Sequence, residues 1–226
     1  MGKLLWGLFA LGLAASCSSI NVSSERMNQD AQGRLYQQKK LTGNSQNIDY
    51  LEPSAGLFLD TGDQQLPENQ AERLSQSLIK QLEGYQLFQQ MRPPGVMKDE
   101  LQPNRPLRVA ADSYFDSLLT LAVSDRDISR PLGEFFQVGN FLVYQVVAWP
   151  CPSCTNRSIM RMKLRLVDAK SGGILWTGTV ERSLYDTELG DLEPISFELT
   201  DKLAQMFLDR FRVKWHKARF LQLAAH

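Results

Sequence analysis

Residues Ile159-Met-Arg-Met-Lys-Leu-Arg-Leu-Val-Asp168 alternate apolar and basic side chains. Met160, Met162, Leu164 and Leu166 fall on one side of an extended chain, and Arg161, Lys163 and Arg165 on the other, which is the period of a half-covered β-strand. Upstream, Phe141-Leu-Val-Tyr-Gln-Val-Val-Ala-Trp149 is apolar on both faces, as a central strand is. Downstream, Ala169-Lys-Ser-Gly-Gly173 turns the chain into Ile174-Leu-Trp-Thr-Gly-Thr-Val180, and the three runs read as an antiparallel meander.

Working outward, Ala55–Asp60 reads as a short buried strand before a Thr61-Gly62-Asp63 turn. Pro67, Glu68 and Glu72 then open a helix with Leu74, Leu78, Ile79 and Leu82 on its apolar stripe, ended by Gly84. Tyr85–Met91 reads as a second short strand, with Pro93-Pro94-Gly95 as a break. Leu107, Ala111, Tyr114, Leu118 and Ala122 keep a 3.6-residue period and predict a helix, although Leu107–Ala110 also fits a strand. Ser124–Gly139, with Pro131 and Gly133, reads as a polar loop. Asp186–Glu193 is an acidic loop, and Pro194 opens a last helix with Phe197, Leu203, Phe207 and Phe211 as its apolar positions. The order β-α-β-α-β-β-β-α predicts an α+β domain, a mainly antiparallel sheet with helices packed on it.

The start of the sequence sets the compartment. Lys3, an apolar run from Leu4 to Leu13 and small residues after it form the three regions of a secretory signal. The run is too short to span a bilayer, which takes about 20 apolar residues. Leu13-Ala14-Ala15-Ser16-Cys17 resembles the lipobox of bacterial lipoproteins, in which the cysteine takes a diacylglycerol and becomes the mature N-terminus. Ala14 stands where leucine is commonest. The resemblance implies lipidation at Cys17, and Ser18 after it resembles the outer-membrane sorting choice. The expected organisation is a signal peptide at 1–16, a flexible Ser/Asn/Gln-rich tether at 17–50 and one periplasmic domain at 51–226.

Composition excludes several classes of function. The chain has 25 Lys and Arg against 25 Asp and Glu, and losing residues 1–16 removes only Lys3, so there is no electrostatic case for nucleic acid. Three cysteines less Cys17 leave Cys151 and Cys154, a pair that an oxidising compartment would close. Trp149-Pro-Cys-Pro-Ser-Cys154 also has the form of a redox motif, but thiol–disulfide catalysis needs the first Cys at a helix N-terminus, and none is signalled here. A structural staple is expected, with redox work and metal binding as alternatives. Zinc would need two more ligands, and the only His residues are His216 and His226. Asp186, Glu188, Asp191 and Glu193 read as a solvated charged run rather than paired catalytic carboxylates. No phosphate-cradling glycine loop occurs.

Leu166-Val-Asp-Ala-Lys-Ser-Gly-Gly-Ile-Leu-Trp-Thr-Gly178 resembles the "LVDAxTGEVLWxG" hairpin of exported lipoproteins in the curli-secretion and penicillin-binding-protein-activator group. The resemblance implies an anticodon-binding-domain-like α+β fold and a non-enzymatic envelope role. It departs at Gly173, where the group carries an acid, in the first strand, and in lacking the long insertions that curli-type pores need. In physical terms the motif is structural. Gly172 and Gly173 are expected to supply positive φ angles, and Trp176 a large apolar face for the last helix.

These features predict an outer-membrane lipoprotein, not an enzyme, with no cofactor or metal, whose domain binds and supports another envelope protein. The alternative is a subunit of an oligomeric export assembly, and so a homo-oligomer. Arg161, Lys163 and Arg165 are expected on the wet face of the sheet, or against an acidic partner. The stretch from Arg210 to Phe220, which includes Arg212 and Trp215, is expected to be a helix end or a contact with a partner or anionic headgroups.

Overall fold

The computed structural model describes residues 20–25, 51–151, 158–185 and 188–223, with the backbone alone for 20–25 and 212–223. Its strands are β1 (Ile20–Glu25), β2 (Ser54–Asp60), β3 (Gln90–Arg92), β4 (Asn140–Ala148), β5 (Ile159–Asp168) and β6 (Ile174–Ser183). Its helices are α1 (Gln70–Gly84), α2 (Pro94–Leu101), α3 (Arg105–Leu121), α4 (Arg126–Phe136) and α5 (Leu192–Leu223). The fold is α+β.

The meander forms in the expected register. β4 pairs with β5 through Val143↔Arg165 and Tyr144↔Leu164, and β5 with β6 through Leu164↔Gly178 and Leu166↔Trp176. β2 adds to β4 in parallel and β3 adds to β2 in parallel, so the sheet is mixed. Five strands come from residues 54–183, and β1 lies along the free side of β6, giving the order β1-β6-β5-β4-β2-β3. β1 falls within the stretch expected to be tether. The apolar-polar alternation Ile20-Asn-Val-Ser is too short to stand out as a period, and the open edge of β6 supplies its backbone partners.

Helices cover both faces of the sheet. On one face, Leu74, Leu78 and Leu82 of α1 and Leu199, Leu203, Phe207 and Phe211 of α5 pack on Leu142, Tyr144, Met162, Leu164 and Trp176. Each such side chain contributes about 1.5–3 kcal/mol through burial. On the other face, Met97 of α2, Ala111, Tyr114 and Leu118 of α3, and Leu132 and Phe136 of α4 pack on Phe141, Val143, Val167 and Ile174. Phe58 joins this second core through Phe115 at 3.7 Å between ring centroids and Phe141 at 5.6 Å. Of the residues expected to be buried on α5, Phe197 is only partly so, while Leu199 and Leu208 belong to the core.

Three expectations are corrected. Ser124–Gly139 is not a loop but holds α4: Asp125 caps it by accepting the Asp127 amide at 2.8 Å, and Ile128, Leu132 and Phe136 keep a four-residue spacing. Pro131 costs α4 one hydrogen bond, and Gly133 is required because a Cβ there would lie 2.7 Å from Ala169 Cβ. Pro94 does not break the chain; it occupies the first turn of α2, where its missing N–H is of no consequence. The second strand is three residues long, Gln90–Arg92, since Gln86 takes a left-handed conformation (φ 53°) directly after α1. The helical alternative for Leu107–Ala122 is the one formed, with Asn104 Oδ1 accepting the Leu107 amide at 3.2 Å.

Candidate interaction surface

Asp168 holds the β5–β6 turn from inside. Its carboxylate accepts the Lys170 amide at 3.0 Å and the Ser171 hydroxyl at 2.6 Å, and the Gly172 amide donates to its carbonyl at 2.8 Å. Gly172 has a positive φ of 67°, as expected, and a Cβ there would meet Arg126 Cα of α4 at 2.9 Å. Gly173 does not have a positive φ; its amide donates instead to Ser171 Oγ at 3.2 Å. Ser129 of α4 donates to the Ala169 carbonyl at 3.0 Å. The turn is therefore docked on α4, which explains its small residues without any ligand.

The basic row on β5 sits on the face shared with α3 and α4. Arg165 is buried, 5% exposed. It donates at 3.3 Å to Gln145 Oε1 and at 3.3 Å to the Leu119 carbonyl, in the last turn of α3, where the negative end of the helix dipole favours a cation. Gln145 passes the contact on, donating at 3.0 Å to Asp60. The expectation of a wet face fails at Arg165, because the end of α3 lies over it. Lys163 is partly buried opposite Gln145 and Thr179. Arg161 is the most open of the three, its side chain 40% exposed, and it forms a cross-strand ion pair with Glu181.

The other charges near this end of the sheet are also paired. Arg182 reaches Glu188 at 2.6 Å and Glu198 at 2.7 Å, joining β6, the acidic loop and α5. Arg73 pairs with Glu193 and lies 5.5 Å from the Phe197 ring centre. Of the four loop carboxylates, Glu188 and Glu193 thus serve as structural ion-pair partners, and Asp186 lies outside the described residues.

Two buried phenols are held neutral. Burial pushes the Tyr114 hydroxyl up to about 12, partly offset by its hydrogen bond to Ser124 Oγ at 2.7 Å. Burial likewise raises Tyr144, whose hydroxyl lies 2.8 Å from Thr200 Oγ1 and donates to Met162 Sδ at 3.0 Å. Tyr144 links sheet to helix, whereas Tyr114 ties α3 to the segment that leads into α4. Among the described residues no group of His, Cys, Asp and Glu could hold a metal ion.

Cys151 follows the end of β4 and is disulfide-bonded. Cys154 and Cys17 lie outside the described residues. Arg212 and Trp215 lie on α5, beyond the last described core position, Phe211. The candidate surface thus comprises the polar part of the sheet around Arg161 and Lys163. No signal along β5 marks α3 as the cover over Arg165, because that cover comes from a segment more than 40 residues away.

The molecule so defined is an α+β sheet domain covered by helices on both faces. No protein-family model matches it, and no curated protein matches it. Nineteen solved chains match in structure. They include the PelC dodecamer from Paraburkholderia phytofirmans, 10% identical, covering 86% of this chain and 97% of that one, with a TM-score of 0.42. They also include lipoprotein GNA1162 from Neisseria meningitidis, 18% identical over 63% of this chain and 93% of that one, with a TM-score of 0.37. A hypothetical protein from Chlamydia trachomatis is 12% identical over 73% and 96%, with a TM-score of 0.37. Likenesses of this degree assign no function. Among the described residues no helix is long and apolar enough to cross a membrane.

Proposed function

We propose that this chain is a lipid-anchored protein of the bacterial outer membrane whose periplasmic domain binds another envelope protein and supports it without catalysis. The observation that carries this reading is the placement of Cys17 at the end of its small-residue triplet, three residues before β1. Three residues reach at most about 10 Å, so a lipid on Cys17 holds the Ile20↔Arg182 end of the sheet close to the bilayer. Pairing of Cys151 with Cys154 fits this reading as a staple beyond β4. The domain's ion pairs serve packing, which suits a binding scaffold. Cross-linking in the envelope followed by detergent extraction should recover the chain joined to one other envelope protein. The same result is expected with Cys151→Ser and Cys154→Ser together, at lower thermal stability. Recovery as a bare monomer, or loss of the associated phenotype in a fully stable double variant, would count against it.

A further inference from the structure

β1 is held to the domain from one side. Its register with β6 runs from Ile20↔Arg182 to Glu25↔Thr177, and its other side ends the sheet. Among the described residues no helix packs closely against it, whereas α5 packs on both β5 and β6. Its composition is poor for a strand. Asn21, Ser23, Ser24 and Glu25 are polar, and only Ile20 and Val22 have apolar side chains to bury. An element paired on one side, uncovered by helices and low in apolar residues opens far more readily than a central strand. Its partner stays in place, because β6 is also paired with β5 and braced by Trp176 against Phe207.

The chain on either side gives that opening a consequence. Cys17 lies three residues before β1, and 28 residues separate Glu25 from Ser54 at the start of β2. β1 and β2 stand four strand spacings apart in the sheet, about 19 Å. Twenty-eight residues at roughly 3.3 Å each span that gap several times over, so β1 can leave β6 without pulling on β2. Paired, the strand keeps Cys17 within about 10 Å of the Arg182 end of the sheet. Unpaired, it leaves residues 18–53 between Cys17 and β2, a contour of roughly 120 Å.

We infer that β1 is a detachable strap. Paired with β6 it holds the domain against the membrane, and released it lets the domain stand away from it. The membrane half of this inference rests on the lipid anchor proposed above; the detachment of β1 does not.

The first test is amide hydrogen exchange on the full chain in a neutral detergent. Amides of residues 20–25 are expected to exchange about 100-fold or more faster than those of β5. Val22→Pro with Ser23→Pro then fixes the strap in its released state, since one of two consecutive amides must face β6 and proline has none. This variant should keep the Tm of the domain within about 2 °C of the wild type. Ser23→Cys with Thr179→Cys fixes the paired state, because residues opposite each other in antiparallel strands have Cβ atoms about 5 Å apart. The Thr179 hydroxyl is buried with no hydrogen-bond partner among the described residues, so its loss costs little. On a supported phosphatidylcholine bilayer, neutron reflectometry should place the proline variant roughly 20 Å farther out than the cross-linked one. Exchange at 20–25 no faster than in β5, prolines that unfold the domain, or equal heights for the two variants overturns the inference. A chain that never attaches to the bilayer overturns the lipid anchor and the membrane half with it, while the exchange rates still decide whether β1 detaches.

Discussion

Trp176→Ala should destabilise the domain by about 3–5 kcal/mol, a loss of roughly 10 °C or more in Tm for a domain of this size. Trp176 is 2% exposed, and its ring stands edge-on to Phe207 at 5.3 Å and to Phe211 at 6.4 Å. Removing it opens a void between β6 and α5 that neither the sheet nor the helix can fill, because both are fixed by other contacts. The indole nitrogen has no hydrogen-bond partner among the described residues, so the contribution is one of volume and ring contact. Trp176→Phe should therefore cost well under half as much. Chemical or thermal unfolding of the two variants decides the matter; equal losses would contradict a packing role.

Gly178→Val should be nearly as damaging, about 3 kcal/mol or more, although valine is the better strand residue. Gly178 follows Trp176 by two positions and so lies on the same side of β6, and the indole folds over it. A Cβ at Gly178 would stand 2.2 Å from Trp176 Cη2. A side chain there expels the ring from its slot. The two substitutions must then be strongly coupled. In a Trp176→Ala background the cost of Gly178→Val should fall below about 1 kcal/mol, an interaction energy of about 2 kcal/mol in a double-mutant cycle. Additive effects would mean that the ring does not need the glycine.

These two residues also show how much was legible in the sequence. The Trp-Thr-Gly end of the hairpin motif was recognisable, and the expected packing of Trp176 on the last helix is present. The role of Gly178 was not, since it depends on where the indole lies. The meander was legible because β5 alternates over ten residues, β4 is apolar along most of its length, and the short turn at 169–173 joins β5 to β6. α4 was hidden by Pro131 and Gly133, ordinary loop signals that here sit in a helix pressed against Ala169. α2 was hidden for a related reason: Pro94 marks a helix start as readily as a break. β2 and β3 join the sheet in parallel through long connections, and no local period announces which neighbour such a strand will take.

At the candidate surface, the alternation along β5 correctly put Arg161, Lys163 and Arg165 on one face. Their environments differ because cover comes from elsewhere. The end of α3 buries Arg165, a cross-strand Glu181 engages Arg161, and Lys163 lies between. A charge on a strand reads the same in sequence whether water or a helix end lies above it.

The most direct test of the proposed function is the intact mass of the mature chain isolated from the envelope. The expected species begins at Cys17, lacks residues 1–16 and carries a lipid on that cysteine, and Cys17→Ser removes both the lipid and the membrane association. A chain that keeps residues 1–16, or one cut elsewhere with an unmodified Cys17 thiol, would contradict the lipid anchor on which the proposed function stands.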